Sequence, residues 1–240
     1  MSITTVLLDL DGTLLPMDQK EFTRGYFELL AEKMSAYGYE KKKLVDAVWN
    51  GTAAMVKNTG DASNEEAFWC KFAETYADEA FPDKALFNEF YEKEFKSTRS
   101  FCGFEPKAVE TVSKIKQIGM REILATNPIF PRSAVESRIR WAGLDVSDFE
   151  YITTYENSRY CKPNPEYYNE ILCKMNLQPK ECLMVGNDVT EDMTARAVGM
   201  NVFLLTDCLI NKEHEDINQY PRGSFEQLLN YIENLKWKEI

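Results

Sequence analysis

Residues 6–10, Val-Leu-Leu-Asp-Leu, form a short and almost continuous apolar run. Such a run predicts a strand covered on both faces. Four later segments repeat the pattern: REILAT ending at Thr126, YITT beginning at Tyr151, CLMVG ending at Gly186 and NVFLL starting at Asn201. Between them the apolar spacing predicts helices over 106–118, 131–141, 163–175 and 190–198. The first three start at or near a proline, which suits a first helical turn. Strand alternating with helix predicts an α/β fold with a doubly wound parallel sheet.

The stretch 17–98 breaks this rhythm and contains no convincing strand. It predicts amphipathic helices over 21–37, 42–56, 64–76 and 84–95, with a turn around Gly60 in KNTGDASN. Some 80 residues of helix are far too many for a simple crossover. The expectation is therefore an inserted all-helical subdomain over 17–98, with the α/β core formed by 1–16 and 99–240. A closing helix is expected over 224–235.

Composition narrows the class. The chain has 240 residues, 44% of them hydrophobic, including 14 Phe, 12 Tyr and 4 Trp, which is ample apolar area for a globular core. A net charge of −11 argues against nucleic-acid binding and requires a local positive site for any anionic substrate. No apolar run approaches the ~20 residues of a membrane span. No signal peptide precedes the first strand. The six cysteines form no C-x-x-C pair, which makes a zinc knuckle improbable; they read as reduced, mostly packed thiols of a cytoplasmic protein. The single histidine, His214, lies in a polar segment and reads as a surface loop residue, so a His-based triad is excluded. EKKK at 40–43 reads as a solvated helix start.

The chemistry-bearing residues fall at the predicted strand ends, where open α/β sheets bind ligands. Asp9 and Asp11 follow the first strand, Thr126 and Asn127 the second, Lys162 the third, and Asn187, Asp188 and Asp192 the fourth. Singly each has an ordinary structural reading: Asp-Gly is a common turn, Lys162 a surface lysine, Asp192 a helix-start acid. Together they form a constellation. Hard oxygen donors suit Mg²⁺, which would offset the repulsion among Asp9, Asp11 and Asp188 and attract a phosphate. The backbone N–H groups of Gly12 and Thr13 are expected to bind phosphate oxygens, with Thr126 and Asn127 as further donors. Lys162 would stabilise the phosphoryl group electrostatically.

DLDGT at 9–13, LATN at 124–127, KPNPEYY at 162–168 and VGNDVTED at 185–192 together resemble the haloacid dehalogenase (HAD) superfamily, in the family's order and over essentially the whole chain. The resemblance implies a HAD-like, Rossmannoid core with a C1-type helical cap. It implies that Asp9 is the nucleophile forming an aspartyl-phosphate, and that Asp11 is the general acid and then base. Thr126 and Lys162 would hold the phosphoryl group. Asp9, the Asp11 backbone carbonyl and Asp188 would ligate Mg²⁺, and Asp192 would orient Lys162 or a metal-bound water. Where many members have Gly-Asp, this chain has Gly186-Asn187-Asp188. That leaves either Asn187 or Asp188 as the inner ligand, with Asp188 preferred for its charge.

Dehalogenases of the family lack an acid two residues after the nucleophile, so Asp11 favours phosphate ester chemistry. The expected activity is a Mg²⁺-dependent phosphatase acting on a small phosphorylated metabolite, as a monomer or homodimer, with specificity residues such as Arg24 and Lys57 in the cap. A phosphomutase using the same intermediate is the alternative. A non-catalytic binding protein would be expected to have lost catalytic groups, yet all are present.

Overall fold

In the computed structural model, which describes residues 3–76 and 84–237, six strands form one parallel sheet. They are β1 (Thr5–Leu8), β2 (Arg121–Leu124), β3 (Tyr151–Ile152), β4 (Cys182–Gly186), β5 (Asn201–Leu205) and β6 (Arg222–Gly223). Their order is β3-β2-β1-β4-β5-β6. The chain runs outward from β1 through β2 to β3, then returns to place β4 on the other side of β1. β1 therefore lies at the switch in strand order, where a crevice opens beyond the carboxyl ends.

The unbroken apolar character of β1 follows from its position. Val6 and Leu8 pack into a cluster with Val112, Ile115, Ile139 and Leu228, whereas Leu7 packs on the opposite face with Tyr167, Ile171 and Met184. The helices supplying the first face are α5 (Pro106–Ile118), α6 (Arg132–Trp141) and α8 (Phe225–Trp237); α7 (Pro165–Met175) covers the second. α5 starts on Pro106 and stops at Gly119, whose φ of 83° gives it a left-handed cap. α7 starts at 165 rather than 163 because the Asn164 side chain accepts from Glu166 N–H and caps it there. α6 likewise starts one residue after Pro131.

The helix expected over 190–198 is only a 3₁₀ helix, Met193–Val198. Asp188 Oδ1 accepts from the N–H groups of Thr190 and Glu191 at 2.8 and 3.0 Å, which holds the preceding residues in a turn. β6 was not expected, because two residues present no apolar run.

The segment between β1 and β2 is helical: α1 (Gln19–Ser35), α2 (Lys41–Val56), α3 (Asn64–Thr75) and α4 (Lys84–Glu92), then a 3₁₀ helix, Glu94–Phe101. Residues 77–83 of the expected cap, and the start of the chain at 1–2, lie outside the described residues. The cap has its own aromatic-rich core, with Phe22, Tyr26, Phe72, Phe90 and Phe95 at its centre. It is tied to the sheet domain at the start of α3. There the N–H groups of Asn64 and Glu65 donate to the carbonyls of Ser158 and Tyr155, each at 2.8 Å. Those are first-turn donors that the helix itself cannot satisfy. Asn64, fully buried, also donates through Nδ2 to the Pro128 carbonyl.

All six cysteines are free thiols; Cys161 and Cys182 are buried, while Cys70 and Cys173 are exposed. No helix among the described residues is long and apolar enough to cross a membrane.

Candidate active site

β1 delivers Asp9 directly past its last paired residue, and Asp9 N–H continues the ladder by donating to the Val185 carbonyl at 2.9 Å. The chain then folds into a tight turn. Gly12 has a φ of 84°, and a Cβ placed there would lie 2.5 Å from Asn187 Nδ2. Glycine is needed on both counts, backbone conformation and close approach.

The turn corrects one expectation. The Gly12 and Thr13 N–H groups do not face a phosphate, because they donate to the carbonyls of Leu15 at 2.8 Å and Leu10 at 3.2 Å. The Thr13 hydroxyl donates to Asn187 Oδ1 at 2.9 Å, and Asn187 Nδ2 donates to the Cys208 carbonyl at 2.7 Å. Gly12, Thr13 and Asn187 thus lock the first strand's turn to the loop after β4.

Lys162 is fully buried and reaches back beneath the strand ends. Its Nζ lies 2.9 Å from Asp9 Oδ1 and 2.6 Å from Asp192 Oδ1. Asp192 Oδ2 accepts from Asp188 N–H at 3.0 Å, so Asp192 holds both the lysine and the loop. Gly186 makes room for it, since a Cβ there would lie 2.0 Å from Asp192 Oδ2. Burial acts to lower the Lys162 pKa, but Asp192 and Asp9 outweigh it and hold the ammonium well above its ordinary value. Burial pushes the Asp192 carboxyl up from the usual range, with Lys162 opposing.

Thr126 is buried at the end of the β2 segment, its carbonyl accepting from the hydroxyls of Thr153 at 2.7 Å and Tyr167 at 2.9 Å. Asn127 donates from Nδ2 to Glu191 Oε2 at 3.0 Å. Its Oδ1 is buried with no protein partner. Burial pushes Glu191 up to about 7, against the pull of Lys162.

Two participants were not anticipated from the sequence. Glu191 was passed over beside the more prominent acids Asp188 and Asp192. Arg138 was passed over as one charge among several in α6, yet it is fully buried and ion-paired through Nη1 to Asp11 Oδ2. Its guanidinium also lies 4.5 Å from the centroid of the Phe130 ring. The signal was available: Arg138 lies between Val135 and Ile139 on the apolar side of α6, where an unpaired charge would be very costly. Burial raises the Asp11 carboxyl above its ordinary value, and Arg138 opposes the rise.

A cavity of about 220 Å³ lies between the strand ends and the cap. Of the residues singled out in the sequence, Asp9, Asp11, Thr126, Asn127, Asn187, Asp188 and Asp192 line it. Lys162 lies beneath the floor, while Gly12 and Thr13 support it from behind. Arg24 and Lys57 do not line it. Arg24 is turned to Glu21 and Glu28 on the surface, and Lys57 is exposed at the end of α2.

Among the described residues, no group of three or more His, Cys, Asp or Glu is set to hold a metal ion. The ligand set implied by the family resemblance, two carboxylates and a backbone carbonyl, does not require three such side chains. The available donors on the floor are hard oxygens, and Asp11 Oδ1 is buried without a partner. That chemistry fits a small oxygen-seeking cation.

A family model described as haloacid dehalogenase-like hydrolase matches residues 3–199, and the chain belongs to that family of capped Rossmannoid hydrolases. Among curated proteins it is similar to haloacid dehalogenase-like hydrolase domain-containing protein 3 of Danio rerio, 28% identical over 124 residues. That match spans 49% of this chain and only 50% of the relative. The chain shares its fold with CbbY from Rhodobacter sphaeroides, solved in complex with phosphate (TM-score 0.59, 18% identity, covering 94% of this chain and 96% of that one). It also shares it with L-2-haloacid dehalogenase from Xanthobacter autotrophicus (TM-score 0.51, 15% identity, 88% and 80%). A protein solved with phosphate and a dehalogenase both carry this fold, so the choice between reactions rests on the site.

Proposed function

We propose that the protein is a phosphatase that hydrolyses a small phosphorylated metabolite through an aspartyl-phosphate on Asp9. The observation that carries this reading is the placement of Asp9 and Asp11 on one cavity floor, with the buried Lys162 ammonium 2.9 Å from Asp9 Oδ1. A carboxylate beside a fixed cation is a nucleophile held in place. An acid two residues on is what an alkoxide leaving group needs and a halide does not.

In this reading Asp9 attacks phosphorus, and Asp11 gives its proton to the departing oxygen. Asp11, now ionised, takes a proton from the water that opens the acyl-phosphate. The raised pKa of Asp11 favours the protonated form the first step requires, and the Arg138 guanidinium favours the ionised form the second requires. Lys162, fixed by Asp192, places positive charge beside the oxygen that receives the phosphoryl group. Thr126, at the cavity wall, is a contact for that group.

Mg²⁺ held by Asp9, Asp188 and the Asp11 carbonyl would supply the charge that draws a phosphate onto an acidic floor. Asp188 is preferred over Asn187 because both ends of the Asn187 amide are already bonded within the protein. The test is phosphate release from p-nitrophenyl phosphate with Mg²⁺ present. Asp9→Asn should abolish release with the circular dichroism spectrum unchanged, and a chelator should abolish it in the wild type. An Asp9→Asn protein that still turns over would overturn the mechanism.

A further inference from the structure

The walls of the cavity are unlike its floor. The cap contributes six aromatic rings, Phe22, Tyr26 and Phe27 of α1, Trp49 of α2, Phe68 of α3 and Tyr91 of α4, and Phe130 of the core is a seventh. Four of the rings, Tyr26, Phe27, Trp49 and Tyr91, are in contact with one another. Phe27 lies 5.4 Å from Trp49, and Tyr26 stacks on Tyr91 with centroids 6.4 Å apart, the two hydroxyls hydrogen-bonded at 2.9 Å. Trp49 keeps half its surface exposed, at 51%. The other cap residues are neutral, the apolar Met17 and Val48 and the hydrogen-bonders Gln19, Thr23 and Thr52.

Charge decides what this chamber accepts. No Lys, Arg or His among the described residues lines it, whereas Asp9, Asp11, Asp188, Glu191 and Asp192 all do. Two cations beside the floor are fully buried and already committed, Lys162 to Asp9 and Asp192, and Arg138 to Asp11. Lys20, Arg24 and Lys212 line an outer cavity that shares Thr23, Phe27 and Trp49 with the chamber. A carboxylate or second phosphate on the leaving group would meet acids and the negative faces of aromatic rings. Neither environment repays the desolvation of an anion. A flat, uncharged ring would bury apolar area and stack edge or face on the wall. The volume, about 220 Å³, is below the usual range of roughly 300–1,000 Å³ for ligand sites, so one ring fills it.

From these walls we infer that the substrate is a phosphate monoester of an alcohol that bears a single aromatic ring and no second negative charge. The lack of a lining cation among the described residues disfavours bisphosphates, diphosphates and phosphorylated carboxylic acids. The inference rests on the phosphatase reading for turnover, but the chamber's preference is a binding property and can be measured without it.

The experiment compares benzyl phosphate with 4-carboxybenzyl phosphate, which differ by one carboxylate, together with phosphoglycolate and phosphocholine, all with Mg²⁺. Benzyl phosphate should have the highest kcat/KM, by at least about 30-fold over the carboxylated analogue, because like charges brought together in a desolvated site repel strongly. Thr23→Lys, which places a cation in the chamber, should narrow or reverse that ratio. Equal turnover of the two benzyl esters, or better turnover of the ringless phosphocholine, would overturn the inference and leave the phosphatase reading intact. Binding of benzylphosphonate against 4-carboxybenzylphosphonate, by calorimetry, supplies the arm that needs no catalysis. A retained preference there without turnover of any ester would sink only the phosphatase reading. No preference there would sink the inference.

Discussion

Arg138 and Asp11, 127 residues apart in sequence, meet at the edge of the cavity with the arginine wholly buried and the aspartate open on one side. The pair joins α6 of the core to the turn that presents Asp9 and Asp11. Arg138 Nη2 is buried without a partner, so the guanidinium depends on Asp11 and on the Ala134 carbonyl accepting from Nε at 3.3 Å. Removing one partner of such a pair leaves the other desolvated and unpaired. Arg138→Met should therefore destabilise the fold, towards the lower end of ~3–5 kcal/mol because Asp11 opens to the cavity. In the double variant Arg138→Met/Asp11→Asn most of that loss should be recovered. Urea midpoints of the four proteins in the cycle check it; a double variant no more stable than Arg138→Met alone would show that the ion pair is not the cause.

The proposed division of labour between Asp9 and Asp11 predicts a dependence on leaving group. p-Nitrophenolate departs without a proton, whereas an alkoxide does not. Asp11→Asn should cost about 10²–10⁴-fold in kcat/KM on an alkyl or benzyl phosphate and distinctly less on p-nitrophenyl phosphate. Equal losses on both would remove Asp11 from the role of acid.

Lys162 sits between two carboxylates that cannot follow it if it is removed. Lys162→Met should lower kcat by about 10²–10³-fold, the order of cost for deleting a fixed positive charge beside the site of phosphoryl transfer. The variant should also melt earlier, since Asp192 would be left buried with its Oδ1 unpaired. Steady-state kinetics on the folded fraction separates the two effects.

Gly12→Ala should destabilise the protein by about 1–3 kcal/mol, combining left-handed strain with displacement of Asn187. Loss of the Thr13–Asn187 hydrogen bond would accompany it. Thermal melts are the check, and an unchanged Tm would show that the turn accommodates a side chain.

Glu122 of β2 gives a pH dependence away from the site. It is buried, its Oε1 has no partner, and burial pushes its pKa from 4.5 to about 8. The folded state thus holds a proton that the unfolded chain gives up at lower pH. Stability falls as pH rises from 4.5 towards 8, and the cost is complete above the folded value. Glu122→Gln should raise Tm little at pH 5 and progressively more up to pH 9. A constant difference across that range would mean the carboxyl is not titrating in the folded protein.

The strand and helix alternation was readable because each face of β1 is covered, which imposes an unbroken apolar run, and because prolines such as Pro106 act locally as helix starts. Asn164, which sets the true start of α7, was not read as a signal. The acids were readable as candidates because several of them fall at the ends of successive strands of one parallel sheet. Helix edges near the site were less readable. The Asp188 side chain takes the N–H groups that would have opened a helix at 190, and nothing in the sequence announces that competition.

By itself the sequence determined the sheet, the helical insertion and the order of the candidate catalytic motifs, because periodicity and strand-end chemistry are local properties. Only the tertiary structure decided which of those groups face the cavity. It turned the Gly12 and Thr13 amides inward to Leu15 and Leu10, committed Lys162 to Asp192, and brought Arg138 to Asp11. It also closed the chamber with neutral aromatic rings instead of the cap cations Arg24 and Lys57. Those outcomes depend on which side chains neutralise one another once water is removed, a contest between residues distant in the chain.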